Sequence, residues 1–222
     1  MAVAPDDDAV TAEPNEPHNT AALRQRLEGL NLYLVGMMGA GKSAVAGPLA
    51  AALGYRVVDA DHAIEQVAGR PIAAIFEQEG EDAFRRLETA VLGQIASWHS
   101  LVVATGGGVV NRSENWGHMQ QGVVIWLDAP EELLLQRLRH DPTPRPLLQG
   151  SGAAERLHEL LQQRLPLYGQ ADLTITQQGE PPEAIAASVL AALPGVLKTR
   201  QAPPVAQAGL QNAAGQSVPS FN

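Results

Sequence analysis

An apolar run, Leu32–Val35, passes directly into Gly36-Met37-Met38-Gly39-Ala40-Gly41-Lys42-Ser43, and an Ala- and Leu-rich helical pattern over 42–53 follows. This is the phosphate-loop pattern of Gly, four residues, then Gly-Lys-Ser. No other feature constrains the chain as far, because a strand that turns through glycines into a helix is the first half of a strand–helix–strand unit. Glycines let the backbone curl without Cβ clashes, so that successive N–H groups converge on phosphate oxygens. The helix adds its N-terminal partial positive charge. Lys42 then supplies a point charge for the β- and γ-phosphates, and the Ser43 hydroxyl a ligand for Mg²⁺.

The rest of the chain continues the alternation. Short apolar runs, Val57–Val58, Leu101–Ala104, Val123–Leu127 and Leu173–Ile175, are separated by helical patterns over 61–68, 71–78, 81–98, 130–139, 153–165 and 181–193. The runs are too short for buried helices and several are rich in Val or Ile, so they read as strands. Strand and helix in alternation predict an α/β protein with a five-stranded parallel sheet covered on both faces. Sites in such sheets gather at the carboxyl ends of the strands. Aromatics make up only 4% of the chain, so the core must rest on Leu, Val, Ile and Ala. Residues 1–18, rich in Pro, Asp, Glu and Ala, and residues 198–222, rich in Gln, Ala, Pro, Ser and Gly, read as disordered tails. One domain over 19–197 is left.

Several function classes are disfavoured. A formal net charge of −9 argues against general nucleic-acid affinity, which needs Lys and Arg to neutralise phosphates. No apolar run reaches membrane-spanning length. The N-terminus carries Asp6, Asp7 and Asp8 in place of a basic start and an apolar stretch, so neither a signal peptide nor an Arg-rich transit peptide is expected. The absence of cysteine excludes disulfides, cysteine-ligated zinc and thiol nucleophiles. The expectation is a cytoplasmic protein.

Acidic and basic residues follow at the ends of the later strands. Asp59-Ala60-Asp61 closes the second strand, and extended alternation would put both carboxylates on one side. One suits a metal, directly or through water, and the other a substrate hydroxyl. Equally, Asp61 suits the N-cap of a helix starting at His62. Arg85 and Glu88 stand three apart in a helical pattern and share a face, either as a carboxylate grip braced by an acid or as a solvated ion pair. Gly106-Gly107-Gly108 ends the third strand, as a site of close backbone approach or as a tight turn. Thr143-Pro144-Arg145-Pro146-Leu147-Leu148 has the stiffness of a flap, and an Arg on a flap suits phosphoryl transfer.

In this order, these segments resemble the shikimate kinase family. Besides the phosphate loop, the resemblance rests on Asp59-Ala60-Asp61, Gly69-Arg70, Phe84-Arg85-Arg86-Leu87-Glu88, Gly106-Gly107-Gly108, Arg145-Pro146-Leu147-Leu148 and Arg164-Leu165-Pro166-Leu167-Tyr168, between about Asn31 and Leu193. It implies a P-loop NTPase three-layer sandwich with strand order 2-3-1-4-5 and a small lid over about 140–153. It implies transfer of the ATP γ-phosphoryl group, with Mg²⁺, to the 3-hydroxyl of shikimate in aromatic amino acid biosynthesis, by a monomer. ATP would meet Gly39, Ala40, Gly41, Lys42, Ser43, Ala44 and Arg145. Ser43 and Asp59 would serve the metal. Asp61, Arg85, Gly107 and Arg164 would bind shikimate, with Phe76 and Phe84 lining the ring pocket, and Lys42, Asp61 and Arg145 would carry the chemistry. Arg137 and Arg139 compete for a nucleotide contact, and Gln177-Gln178 stands where the family often has an adenine-contacting Arg. A gluconate-type kinase and a non-catalytic nucleotide-binding relative are the alternatives.

Overall fold

Leu32, Tyr33, Leu34 and Val35 are all buried, as befits the central strand of a parallel sheet covered on both faces. The computed structural model describes residues 17–141 and 152–197. In it β1 (Leu32–Val35), β2 (Arg56–Asp59), β3 (Leu101–Ala104), β4 (Val123–Asp128) and β5 (Leu173–Thr176) form one sheet in the order β2-β3-β1-β4-β5. Every pairing is parallel. The register sets Leu34 beside Ala104 and Ile125, and Asp59 beside Ala104, so the chain leaves β1, β2 and β3 at one edge of the sheet. The glycine loop, the acidic pair and the triple glycine are thereby neighbours. At the opposite edge Asn31, itself buried, accepts from the Leu101 N–H at 3.0 Å and donates to the Trp98 carbonyl at 2.7 Å, locking β1 to β3.

The helices are α1 (Pro17–Leu27), α2 (Lys42–Leu53), α3 (Ala60–Ala68), α4 (Ile72–Ala96), α5 (Ser113–Met119), α6 (Glu131–His140), α7 (Ala153–Tyr168) and α8 (Pro182–Val196), with a 3-10 turn at Val109–Asn111. Alternate strand residues feed two cores. Leu34, Val102 and Ile125 pack with Leu49, Leu53 and Val189 of α2 and α8 on one face. Tyr33, Val35, Val103 and Val124 pack with Leu92 and Ile95 of α4 and Met119 of α5 on the other. Each aliphatic side chain removed from water contributes about 1.5–3 kcal/mol, which lets an aromatic-poor chain build its core.

Two elements depart from the reading of the sequence. Neither α1 nor α5 is anticipated by periodicity: α1 sends Leu23 and Leu27 deep into the core, and α5 is seven residues long with Gly117 inside it. The break expected between the patterns over 71–78 and 81–98 falls within α4 at Gly80, where the backbone leaves helical geometry with φ 79° and ψ 174°. Only glycine reaches that region without strain, so the two segments stack in series with a corner between them. Residues 1–16, 142–151 and 198–222, which include most of both tails and Arg145 of the expected flap, lie outside the described residues.

Candidate active site

The phosphate loop takes its shape from three glycines with positive φ: Gly36 at 142°, Gly39 at 83° and Gly41 at 85°. Gly41 occupies the N-cap position of α2, and the Val45 N–H reaches its carbonyl at 2.9 Å. Close packing adds a second demand at Gly36, where a Cβ would stand 2.5 Å from the Leu127 carbonyl oxygen. Lys42, only 8% exposed, turns its ammonium back over the loop and donates to the carbonyls of Gly36 at 2.8 Å and Met37 at 3.0 Å.

Asp59 joins two elements. Its Oδ2 accepts from the Ser43 hydroxyl at 2.7 Å, while its Oδ1 accepts from the N–H groups of Asp61 at 3.1 Å and His62 at 3.2 Å. Asp59 is thus the N-cap of α3. Helical geometry starts at Ala60, so extended alternation does not relate the two aspartates, and Asp61 stands in the first turn of α3 and not at its cap. The cap explanation of Asp61 is thereby corrected. Hydroxyl and carboxylate oxygens suit a hard cation. Among the described residues no three His, Asp or Glu cluster as a cage. Ser43 and Asp59 therefore fit an ion that takes its remaining ligands from water and phosphate.

Beyond Asp61 lies a densely buried charged group. A Cβ on Gly106 would lie 2.7 Å from Asp61 Oδ1 and 3.2 Å from Glu88 Oε1, so glycine here lets two carboxylates approach the backbone. Glu88 is 3% exposed, and its Oε2 accepts from Arg85 Nη1 at 2.9 Å. Glu81 accepts from Arg85 Nη2 at 3.0 Å and from Nε at 3.2 Å. Arg85 is thus buried and braced by two acids, and the solvated ion pair is corrected. Burial would lower its guanidinium pKa, but Glu88 and Glu81 outweigh that and raise it. Burial also holds the Glu88 carboxyl above the usual range, against the opposing pull of Arg85. The guanidinium lies 5.1 Å from the Phe84 ring centroid, and Phe84 meets Phe76 at 4.7 Å. At Gly108 a Cβ would collide with the Arg85 guanidinium.

Arg164, 2% exposed on α7, pulls electrostatically on Glu88. Its Nη1 donates to the Gly107 carbonyl at 3.3 Å and touches the Met37 sulfur at 3.7 Å. Tyr168, one turn on, donates to the same Gly107 carbonyl at 2.6 Å, and burial pushes its hydroxyl up to about 12. On the other flank Arg137 donates to the Gly39 carbonyl at 3.1 Å and to Gln177 Oε1 at 2.9 Å. Gln177, 1% exposed, donates its amide to the Ala40 carbonyl at 2.8 Å.

One cleft of about 360 Å³ collects most of these groups. Gly39, Gly41, Lys42, Ser43 and Ala44 line it from the loop side, and Asp59, Asp61, Gly107 and Arg137 complete it. Ala40 is buried beneath the loop, and Arg85 and Arg164 stand behind the triple glycine. Of the two competing arginines, Arg137 is the one at the cleft. Two residues named in the reading of the sequence are given no role there. The four-residue spacing of Tyr168 from Arg164 puts both on one helical face. Gln177 is noted only as standing where the family often has an adenine-contacting Arg, and nothing local points to its bonds with Arg137 and Ala40.

The comparisons agree with this geometry. A sequence model described as shikimate kinase matches residues 38–194. A shikimate kinase of Synechococcus sp. (strain RCC307) is 56% identical over 191 residues, covering 86% of this chain and 95% of the relative. Among solved structures, a shikimate kinase from Acinetobacter baumannii in complex with shikimate is similar at 40% identity and TM-score 0.74, covering 78% of this chain and 97% of that one. A gluconokinase from Sinorhizobium meliloti, at 20% identity and TM-score 0.52 over 76% of this chain and 94% of its own, shares the fold.

Proposed function

The chain belongs to the shikimate kinase family and uses ATP to phosphorylate the 3-hydroxyl of shikimate, giving shikimate 3-phosphate and ADP; on that premise we propose how its residues divide the reaction. The observation that carries the assignment is one cleft bounded by a phosphate loop on one side and by Asp61 and the triple glycine on the other. Shikimate offers a carboxylate and three hydroxyls, and ATP a polyphosphate. The backbone from Gly39 to Ala44 and the Lys42 ammonium receive the polyphosphate. Arg85 and Arg164, both buried cations, hold the carboxylate, and Gly107 lets the ring approach the backbone. Phe76 and Phe84 supply an apolar wall.

Asp61 accepts a hydrogen bond from the 3-hydroxyl, orients its oxygen toward the γ-phosphorus, and takes the proton as the new O–P bond forms and the bond to ADP breaks. Ser43 and Asp59 would hold Mg²⁺, which when bound neutralises charge on the polyphosphate. Arg145, outside the described residues, would add positive charge to the transferred group and help exclude water. Lys42 opposes the charge that develops there, a role worth several kcal/mol of barrier.

A coupled ADP-release assay with shikimate, quinate, gluconate and nucleoside monophosphates as acceptors tests this reading. Release should depend on shikimate and vanish in a folded Lys42→Ala variant. Release driven by gluconate, or indifferent to every acceptor, would overturn it.

A further inference from the structure

Tyr168 has no part in the reaction just described, yet it is a fully buried tyrosine whose hydroxyl makes its short bond to the acceptor loop. Three observations fix it there. Its ring stacks on Trp126 with centroids 5.7 Å apart and planes inclined by 22°. Its hydroxyl donates to the Gly107 carbonyl at 2.6 Å. Arg164, four residues earlier on α7, donates to the same oxygen at 3.3 Å. A tyrosine and an arginine one helical turn apart thus converge on a single peptide.

That peptide belongs to a run of three glycines, which has little conformational restraint of its own. Its carbonyl is tied to α7. Gly107 lines the cleft. In a trans peptide the Gly108 N–H points opposite to the Gly107 carbonyl, so anchoring one directs the other. The bond from Arg164 to the same oxygen is the longer of the two, at 3.3 Å.

We propose that Tyr168 is a positioning residue for the acceptor: its hydroxyl anchors the Gly107 carbonyl, and so sets both the presentation of the triple-glycine backbone and the aim of the Arg164 guanidinium at shikimate. This rests on the placement of shikimate between Arg85, Gly107 and Arg164 proposed above. Tyr168 also touches the Met37 sulfur at 3.9 Å, but a thioether is a weak acceptor, so the ATP side gains little from it.

Tyr168→Phe removes the hydroxyl and keeps the ring. Shikimate binding by calorimetry, together with KM for both substrates, should show roughly three- to tenfold weaker binding of shikimate, the range of one hydrogen bond, with KM for ATP within about twofold of the parent. Arg164→Lys serves as the control, and the double variant should lose less than the product of the single effects, because both side chains act on one peptide. A silent Tyr168→Phe beside a crippled Arg164→Lys would overturn the positioning role while leaving the acceptor site standing. Equal weakening of both substrates would show a scaffold residue instead. Silence in both single variants would overturn the acceptor site and the role of Tyr168 with it.

Discussion

The Ser43 hydroxyl donates to Asp59 across 2.7 Å, while the other oxygen of the same carboxylate caps α3. One side chain therefore fastens the start of the phosphate-loop helix to the end of β2 and begins the helix that carries Asp61. Its two duties are separable by substitution. Asp59→Asn keeps a good cap, so stability should stay close to the parent, while the magnesium concentration for half-maximal rate should rise and excess Mg²⁺ should partly rescue turnover. Asp59→Ala should add a stability loss of about 1 kcal/mol from the missing cap. Magnesium titration of initial rates and urea unfolding give the two readings, and an unchanged magnesium response would count against the metal role.

Asp61→Asn isolates the acceptor role. Since Asp59 holds the cap, the substitution should leave folding and ATP binding intact and suppress turnover of shikimate, because an amide can neither carry the charge nor accept the proton. Single-turnover kinetics with separately measured nucleotide affinity decide it. Near-parental turnover would remove Asp61 from the chemistry.

Glu88 leads to a pH forecast. Burial raises its carboxyl above the usual value, Arg85 opposes this, Asp61 adds to it and Arg164 opposes it. Between the ordinary and the raised value the folded chain keeps a proton that the unfolded chain has released. The stability this contributes is therefore present at lower pH and is lost as pH rises through that interval. Glu88→Gln has no such titration, so the stability difference between parent and variant should shift toward the variant across the interval, followed by denaturant midpoints at stepped pH. The variant should also bind shikimate less tightly, because Arg85 loses its nearest buried partner.

Gln177→Leu should affect the opposite substrate. The amide bridges Arg137 and the Ala40 carbonyl inside the protein, and its loss leaves buried polar groups unpaired at about 1–3 kcal/mol. KM for ATP should rise several-fold while shikimate affinity stays level in equilibrium titration. A change confined to shikimate would contradict the bridge.

The strands, their parallel arrangement and the phosphate loop were legible because they depend on short-range patterns: apolar runs, glycine spacing, and a lysine and serine at set positions; the strand order came from the resemblance. Asp59, Asp61, Arg85 and Gly107 were legible as residue types and neighbours, and the resemblance assigned their roles. What the chain did not disclose depends on distance in space. Asp59 and not Asp61 caps α3 because helical geometry begins at Ala60, two residues earlier than a cap at Asp61 required. The contacts of Tyr168 and Gln177 with Gly107 and Ala40 span 61 and 137 residues, beyond any local period. The break at Gly80 was legible, because one helical pattern stops at 78 and the next resumes at 81.

The ammonium of Lys42, resting on the Gly36 and Met37 carbonyls, bears on how the nucleotide comes and goes. A buried cation with no acceptor would bind phosphate as one fills a vacuum, tightly and with a severe penalty on departure. Here the loop solvates its own lysine. On the role proposed for Lys42, arrival of the polyphosphate would exchange one set of oxygens for another, and affinity would reflect only the difference between them. When ADP left, the same carbonyls would be there to take the ammonium back, and two peptide oxygens would ease the departure of the product.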